Sequence, residues 1–162
     1  MKRLLFPSLA AALLTAFLLW WFSPGQILKR RTLSLLETLA MDAGTGHSSR
    51  QMGVYALNGM LAPMVDLNTP TIAQANGSFE RSDLESAYSW LCLQAKQTRF
   101  ELDRFHSIKI SGDQGEVEFS LEALVELPTY RPADGRYRVT FHWQRGEDQW
   151  RLASATWLDE NR

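Results

Sequence analysis

From Arg99 onward the hydrophobic period of this chain changes from near four to two, and that switch limits what it can fold into. Val117, Phe119, Leu121, Ala123, Val125 and Leu127 alternate strictly with Glu116, Glu118, Ser120, Glu122, Leu124 and Glu126. Tyr137, Val139, Phe141 and Trp143 alternate in the same way with Arg136, Arg138, Thr140 and His142. Successive strand residues point to opposite faces, so the pattern predicts strands with one buried and one solvated face, hence an antiparallel sheet. Phe100, Leu102, His106, Ile108 and Ile110 mark a strand before these two, and Trp150 to Leu158 one after them. Gly112-Asp113-Gln114-Gly115, Pro128 to Gly135 and Gly146-Glu147-Asp148 supply the turns. Glu118, Glu122 and Glu126 can face Arg136 and Arg138 across strands, each pair contributing roughly 0.2–1 kcal/mol.

Before the switch the spacing is helical. Gln26 to Ala40 places Leu28, Leu35, Leu36 and Leu39 on one side, with Lys29, Arg30, Arg31 and Glu37 largely elsewhere. Asp42 to Gly46 is a flexible stop, and Ser48-Ser49-Arg50-Gln51 reads as a capping box opening a second helix. Met52, Tyr55, Ala56, Gly59 and Met60 recur along that helix, and Pro63 ends it. Met64 to Leu67 reads as a short strand and Asn68 to Ser78 as a loop. Asn76-Gly77-Ser78 matches a glycosylation acceptor, a three-residue pattern that a turn explains equally. A second capping box, Ser82-Asp83-Leu84-Glu85, opens a third helix to about Gln97, with Leu84, Tyr88, Leu91 and Ala95 inward.

Leu4 to Phe22 carries no charge over nineteen residues, and at helical rise it covers roughly 28 Å, near the thickness of a bilayer's hydrocarbon core. Trp20, Trp21 and Phe22 suit an interfacial belt at the far end. The expectation is therefore two units: an anchor over residues 1–25 and a globular domain over residues 26–162. Lys2 and Arg3 oppose Lys29, Arg30 and Arg31, close to a tie under the positive-inside rule. The short polar head favours an amino end inside and a domain on the periplasmic face of an inner membrane, tethered to the lipid bilayer through Leu4–Phe22. The basic trio either skims anionic headgroups or forms the solvated face of the next helix. The alternative is a cleaved signal peptide that leaves a secreted domain.

Composition excludes several classes. The net charge of −1 gives no field for recruiting nucleic acid. Cys92 is the one cysteine, so neither an internal disulfide nor a thiolate zinc cluster is available, and among Trp90, Leu91 and Leu93 it reads as a small buried hydrophobe. His47, His106 and His142 lack ligand-like spacing, so no metal and no other cofactor is expected. No Gly-rich loop follows a strand, and no serine sits in a nucleophile elbow.

Helices first, then a meander ending in Gly146-Glu147-Asp148-Gln149-Trp150-Arg151-Leu152, with Leu61-Ala62-Pro63-Met64-Val65-Asp66-Leu67 after the second helix, resembles the nuclear transport factor 2-like superfamily, the group of SnoaL and ketosteroid isomerase. The resemblance spans about Gln26 to Trp157. It implies an α+β, cone-shaped fold: three helices packed on a curved antiparallel sheet, here preceded by one transmembrane helix. The superfamily holds enzymes, binding modules and assembly subunits. Its enzymes carry an acid or histidine after the short strand; the isomerase-like pattern wants aspartate before the proline, where Thr69 stands before Pro70.

Asp66, His106 and Tyr88 are the candidates for an acid–base site. Arg104 and His106 share the parity of Phe100 and Ile108, Ser154 shares that of Trp150 and Leu152, and Tyr55 lies on an inward helix stripe. Tyr55, Arg104, Tyr137, Phe141 and Ser154 are thus the expected pocket lining. Family members often dimerise through the outer face of the sheet, where Leu124 and Trp157 are the candidate contacts for a homodimer or a protein partner. Two functions are expected: a membrane-tethered, non-catalytic binding or assembly module for a protein or small apolar ligand, or an isomerase- or dehydratase-like enzyme of small hydrophobic substrates.

Overall fold

The computed structural model describes residues 5–70, 75–129 and 132–160, with side chains from Leu13 onward apart from His47. In chain order the elements are α1 (Leu5–Trp21), α2 (Pro24–Leu39), α3 (His47–Met60), β1 (Leu61–Asn68), β2 (Gly77–Glu80), α4 (Arg81–Gln94), β3 (Gln97–Ser111), β4 (Gln114–Glu126), β5 (Ala133–Arg145) and β6 (Trp150–Asp159). The alternating segments form one six-stranded sheet in the order β2-β1-β6-β5-β4-β3. Strands β3 to β6 form the expected antiparallel meander.

The sheet as a whole is mixed and open rather than an antiparallel cone. Strand β1 follows α3 without a loop and runs parallel to β6, while β2 and β3 remain its two unjoined edges. A parallel neighbour needs a long connection, here α4 together with four strands, and no hairpin signal could announce it. Pro63 does not end the helix. It lies inside β1, where the pairing with β6 is interrupted between Leu61 and Asp66, a position that tolerates a missing N–H. Neither capping box forms, because α3 starts after Gly46 and α4 after Glu80, which puts Ser48 and Ser82 inside the first turn.

Helix α2 buries Leu28, Thr32, Leu35 and Leu36 against the inner face of the sheet. It comes so close to β4 that a β-carbon on Gly115 would overlap Leu28 Cδ1. Its far end is stitched to β3: Met41 and Thr98 exchange backbone hydrogen bonds of 2.8 and 2.9 Å, and Thr98 Oγ1 donates to the Leu39 carbonyl at 2.6 Å. Tyr88 reaches from α4 to donate its hydroxyl to the Thr38 carbonyl of α2. Gly53 of α3 leaves room for that contact, since a β-carbon there would sit 3.1 Å from Tyr88 Oη. Burial pushes the Tyr88 hydroxyl and the neighbouring Cys92 thiol above their usual pKa ranges, so neither ionises at neutral pH.

Arg50 joins the three packed helices. Its Nε donates to the Thr45 carbonyl at 3.1 Å, Nη1 to Cys92 and Ala95 at 3.2 and 2.6 Å, and Nη2 to Asp42 and Lys96 at 3.1 and 3.0 Å. Three of these acceptors lie at the carboxyl end of α4, where unpaired carbonyls and the helix dipole favour a cation.

The apolar leader departs from expectation. Helix α1 has 17 residues, about 25 Å, short of a hydrocarbon core of roughly 30 Å. Among the described residues no helix is long and apolar enough to cross a membrane. The uncharged run exceeds the helix because the chain turns at Phe22-Ser23 and Pro24 opens α2; Leu4 lies outside the described residues. A transmembrane anchor over Leu4–Phe22, its bilayer partner and a single-pass inner-membrane topology are therefore not supported. The basic trio is engaged within the protein: Lys29 Nζ lies 5.1 Å from the Phe105 ring centre, Arg30 stacks 4.6 Å over Trp21 and donates 3.0 Å to its carbonyl, and Arg31 bonds Gln149.

The outer face of the sheet is ionic. Glu116 pairs with Lys109 at 2.8 Å, Glu126 with Lys96 at 3.1 Å, and Glu160 accepts the Ser120 hydroxyl at 2.5 Å. The Lys109 bond holds Glu116 below the usual carboxylate range, a 2.9 Å bond from Gln97 Nε2 and then the Lys96 bond hold Glu126 there, and the Ser120 bond holds Glu160.

Arg50→Ala is expected to cost about 3 kcal/mol, because the carbonyls it leaves are partly buried, and to lower the melting temperature by roughly 6–12 °C. Arg50→Lys should recover only part of this, since an ammonium offers three donors. Calorimetry of the two variants checks both. The depressed carboxyls set an acid limb. As pH falls, the unfolded chain protonates first, near pH 4.3, so stability is complete above that value and drains away as pH drops through the lower folded values. Glu160→Gln should flatten that limb in urea melts at pH 3 to 6, lowering stability at pH 7 and leaving it nearly unchanged at pH 3.

Candidate functional site on the outer face of the sheet

Two irregularities in β3 decide which side chains gather here. Leu102 pairs with Leu121 and Arg104 with Ser120, so Asp103 has no partner of its own; Phe105 pairs with Phe119 and Ser107 with Glu118, so His106 has none. Each extra residue reverses the alternation of the strand. Phe105 turns inward, 6.1 Å from the Phe119 ring, and His106 turns to the face away from the helices. A third irregularity, at Ala153 between the pairs His142↔Ser154 and Trp143↔Leu152, reverses β6.

The outer-face group is a chain of contacts. His106 Nε2 lies 2.7 Å from Ser120 Oγ, and Ser120 Oγ donates to Glu160 Oε1 at 2.5 Å. Arg138 Nε lies 3.4 Å from the same oxygen, and its Nη1 lies 3.7 Å from Glu118. Ser107 Oγ donates to Glu118 at 3.4 Å. A hydroxyl has one proton, and here it goes to Glu160; Ser120 therefore accepts from His106, which fixes the proton on Nε2. Hydrolytic serines work in the opposite sense, giving their proton to histidine. Ser120 is also only 1% exposed, out of reach of a substrate. The arrangement is a structural link: the Ser120 bond, assisted by Arg138, keeps Glu160 ionised.

Two clefts open on this face. One, of about 460 Å³, is lined by Lys109, Gln114, Glu116, His142 and Gln144. The other, of about 480 Å³, is lined by Arg99, Glu101, Glu122, Leu124, Asp134 and Arg136, of which Arg136 and Glu122 pair at 2.8 Å. In both, charges of the two signs face one another, which leaves little net field for an ionic ligand.

Asp66, His106 and Tyr88 do not come together. Asp66 is exposed on β1 and accepts from Ser78. His106 is on β3, four strand spacings away, on the order of 19 Å along the sheet. Tyr88 is buried among the helices. Of the expected pocket lining, Tyr137 and Phe141 are buried on the inner face, but Tyr55 is 82% exposed on α3 and Arg104 is exposed beside the first bulge. The Ala153 bulge turns Ser154 outward and Trp157 inward. Trp157 packs edge-on to Tyr137 at 5.6 Å and Phe100 at 6.2 Å, so it is no part of an outer interface; Leu124 stays on the outer face, half-buried. Ser120 and Glu160 were not singled out from the sequence, and Arg138 only as a cross-strand partner for glutamates such as Glu118. The available signal was one small polar residue inside a row of glutamates. Among the described residues no group of three or more His, Cys, Asp or Glu side chains is placed to hold a metal.

No protein-family model matches the chain, and no curated protein matches it in sequence. Solved structures match it in fold. A nuclear transport factor 2-like protein from Cytophaga hutchinsonii is 13% identical with a TM-score of 0.62, the match covering 85% of this chain and 99% of that one. A proposed dehydratase of the same fold family from Streptomyces avermitilis is 14% identical with a TM-score of 0.60, covering 83% and 94%. A protein described as having a cystatin-like fold, from Caulobacter vibrioides, is 11% identical with a TM-score of 0.64, covering 86% and 93%. At such identities the likeness establishes fold alone. The resemblance read from the sequence holds for the nuclear transport factor 2-like fold and fails for its membrane-anchored form.

Proposed function

We propose that this chain is a non-catalytic binding or assembly module that engages a protein partner through apolar surface lying outside its core. One contrast carries the reading. The space between helices and sheet is filled by Trp143, Phe119, Phe141, Leu28, Leu35 and Leu121, each under 2% exposed except Phe141 at 2%, whereas α1 holds Leu14 60% and Leu19 72% exposed. Apolar surface of that extent on a soluble face marks a contact with another molecule. An isomerase- or dehydratase-like reaction has less support, because an acid and a base must reach one substrate and the candidate groups stand apart, Asp66 on β1, His106 on β3 and Tyr88 among the helices.

A small-ligand function has one observation in its favour. Thr32 Oγ1 and Trp143 Nε1 are buried at the inner face with no hydrogen-bond partner among the described residues. One experiment separates the readings. Titrating the full chain with benzene and indole, followed by thermal shift, is expected to give no saturable binding. Phe141→Ala should lose about 3–5 kcal/mol and gain benzene binding, because it opens an apolar void. Saturable binding by the unaltered chain would overturn the proposal in favour of a small-ligand module.

A further inference from the structure

We infer that α1 is a self-association helix whose apolar surface pairs with α1 of a second copy of this chain. The inference names the partner for the assembly reading above and rests on it. Residues Leu5 to Trp21 carry no charge, and Leu13, Leu14, Phe17, Leu18, Leu19, Trp20, Trp21 and Phe22 are between 42% and 72% exposed. A helix that is apolar on all sides is stable only when something covers it.

Its own domain is poorly placed to be that cover. The last turn of α1 is closed by Phe22 N to the Leu18 carbonyl at 2.9 Å and Ser23 N to the Trp20 carbonyl at 3.1 Å. Arg30 then clamps Trp21 from α2, stacking on the ring and capping the last turn of α1. The clamp fixes the direction in which α1 leaves. The outer sheet face of another molecule fits no better, since it is lined by ion pairs. An uncharged apolar surface of similar length does fit, and α1 of a second copy has both properties. A twofold contact places one patch against itself, so a self-complementary helix suits it.

The area is sufficient. The eight exposed side chains leave on the order of 1,000 Å² in water, and covering half of this on each of two copies buries roughly 1,000 Å² in total, the lower bound for a specific interface.

Sedimentation equilibrium of the full chain over a hundredfold concentration range tests the pairing. The expected result is a discrete dimer. Leu14→Glu with Leu18→Glu, one turn apart on one side of α1, should weaken it at least thirtyfold. Both side chains are exposed, so the unfolding transition of the domain should stay in place, which separates lost pairing from lost folding. Leu19→Lys should act in the same direction, and Tyr55→Glu, exposed elsewhere on α3, should leave the assembly intact. A monomeric full chain, an aggregate of no defined mass, or an assembly indifferent to the α1 substitutions would overturn the pairing. A monomeric mass without ligand binding overturns the pairing alone; saturation by benzene or indole overturns the assembly reading beneath it.

Discussion

The helical layer depends on one guanidinium. Arg50 donates to five main-chain carbonyls, two from the α2–α3 connection and three at the carboxyl end of α4. No other side chain presents a planar fork able to serve so many acceptors at once. Because the acceptors are carbonyls, the clamp is less sensitive to salt than an ion pair. It ties the start of α3 to the end of α4, and Tyr88 and Gly53 can then meet beneath α2.

The sheet divides its chemistry between two faces. Inward, the alternation of β4 and β5 supplies Val117, Phe119, Leu121, Val139, Phe141 and Trp143, and α2 is drawn down until Leu28 rests on Gly115. That close approach leaves the space between α2 and the sheet filled by side chains. Outward, glutamates meet arginines and lysines in register, and the Ser120–Glu160 bond joins the end of β6 to β4. Strand β3, a long free edge, is broken by its two bulges, a feature that makes an edge a poor template for further strands.

Strict alternation made β4 and β5 legible, down to the pairing of Glu122 with Arg136. The same logic misplaced side chains on β3 and β6, because period two holds only while every residue has a partner. Three unpaired residues, Asp103, His106 and Ala153, each reverse the facing of the strand beyond them. Phe105 therefore entered the core unannounced, and Ser154 and Trp157 exchanged sides. On α3 the apolar stripe through Met52 and Tyr55 suggested the wrong face. The helix packs instead through Leu57 and Val54, with Arg50 and Gly53 beside them, and the last two carry no hydrophobic signal although one is the clamp and the other the gap for Tyr88.

The leader shows the limit of reading a segment by its composition. Nineteen uncharged residues give an upper bound on an apolar helix, but the backbone decides where it stops. Here it stops at Trp21, because Pro24 is better placed as the first residue of α2 than as a continuation of α1. The three cations beyond it carried two sequence readings, headgroup contact or a solvated face. Neither reading considers the aromatic rings nearby. A guanidinium is weakly hydrated and stacks on an indole with little loss of solvation, so Arg30 settles on Trp21, and Lys29 lies over Phe105, the ring the β3 bulge delivers inward. The charge pattern and the strand irregularity thus act on one another. The bulge that hid Phe105 from the sequence also supplies the ring for Lys29, and the link between them lies in the fold rather than in any stretch of sequence.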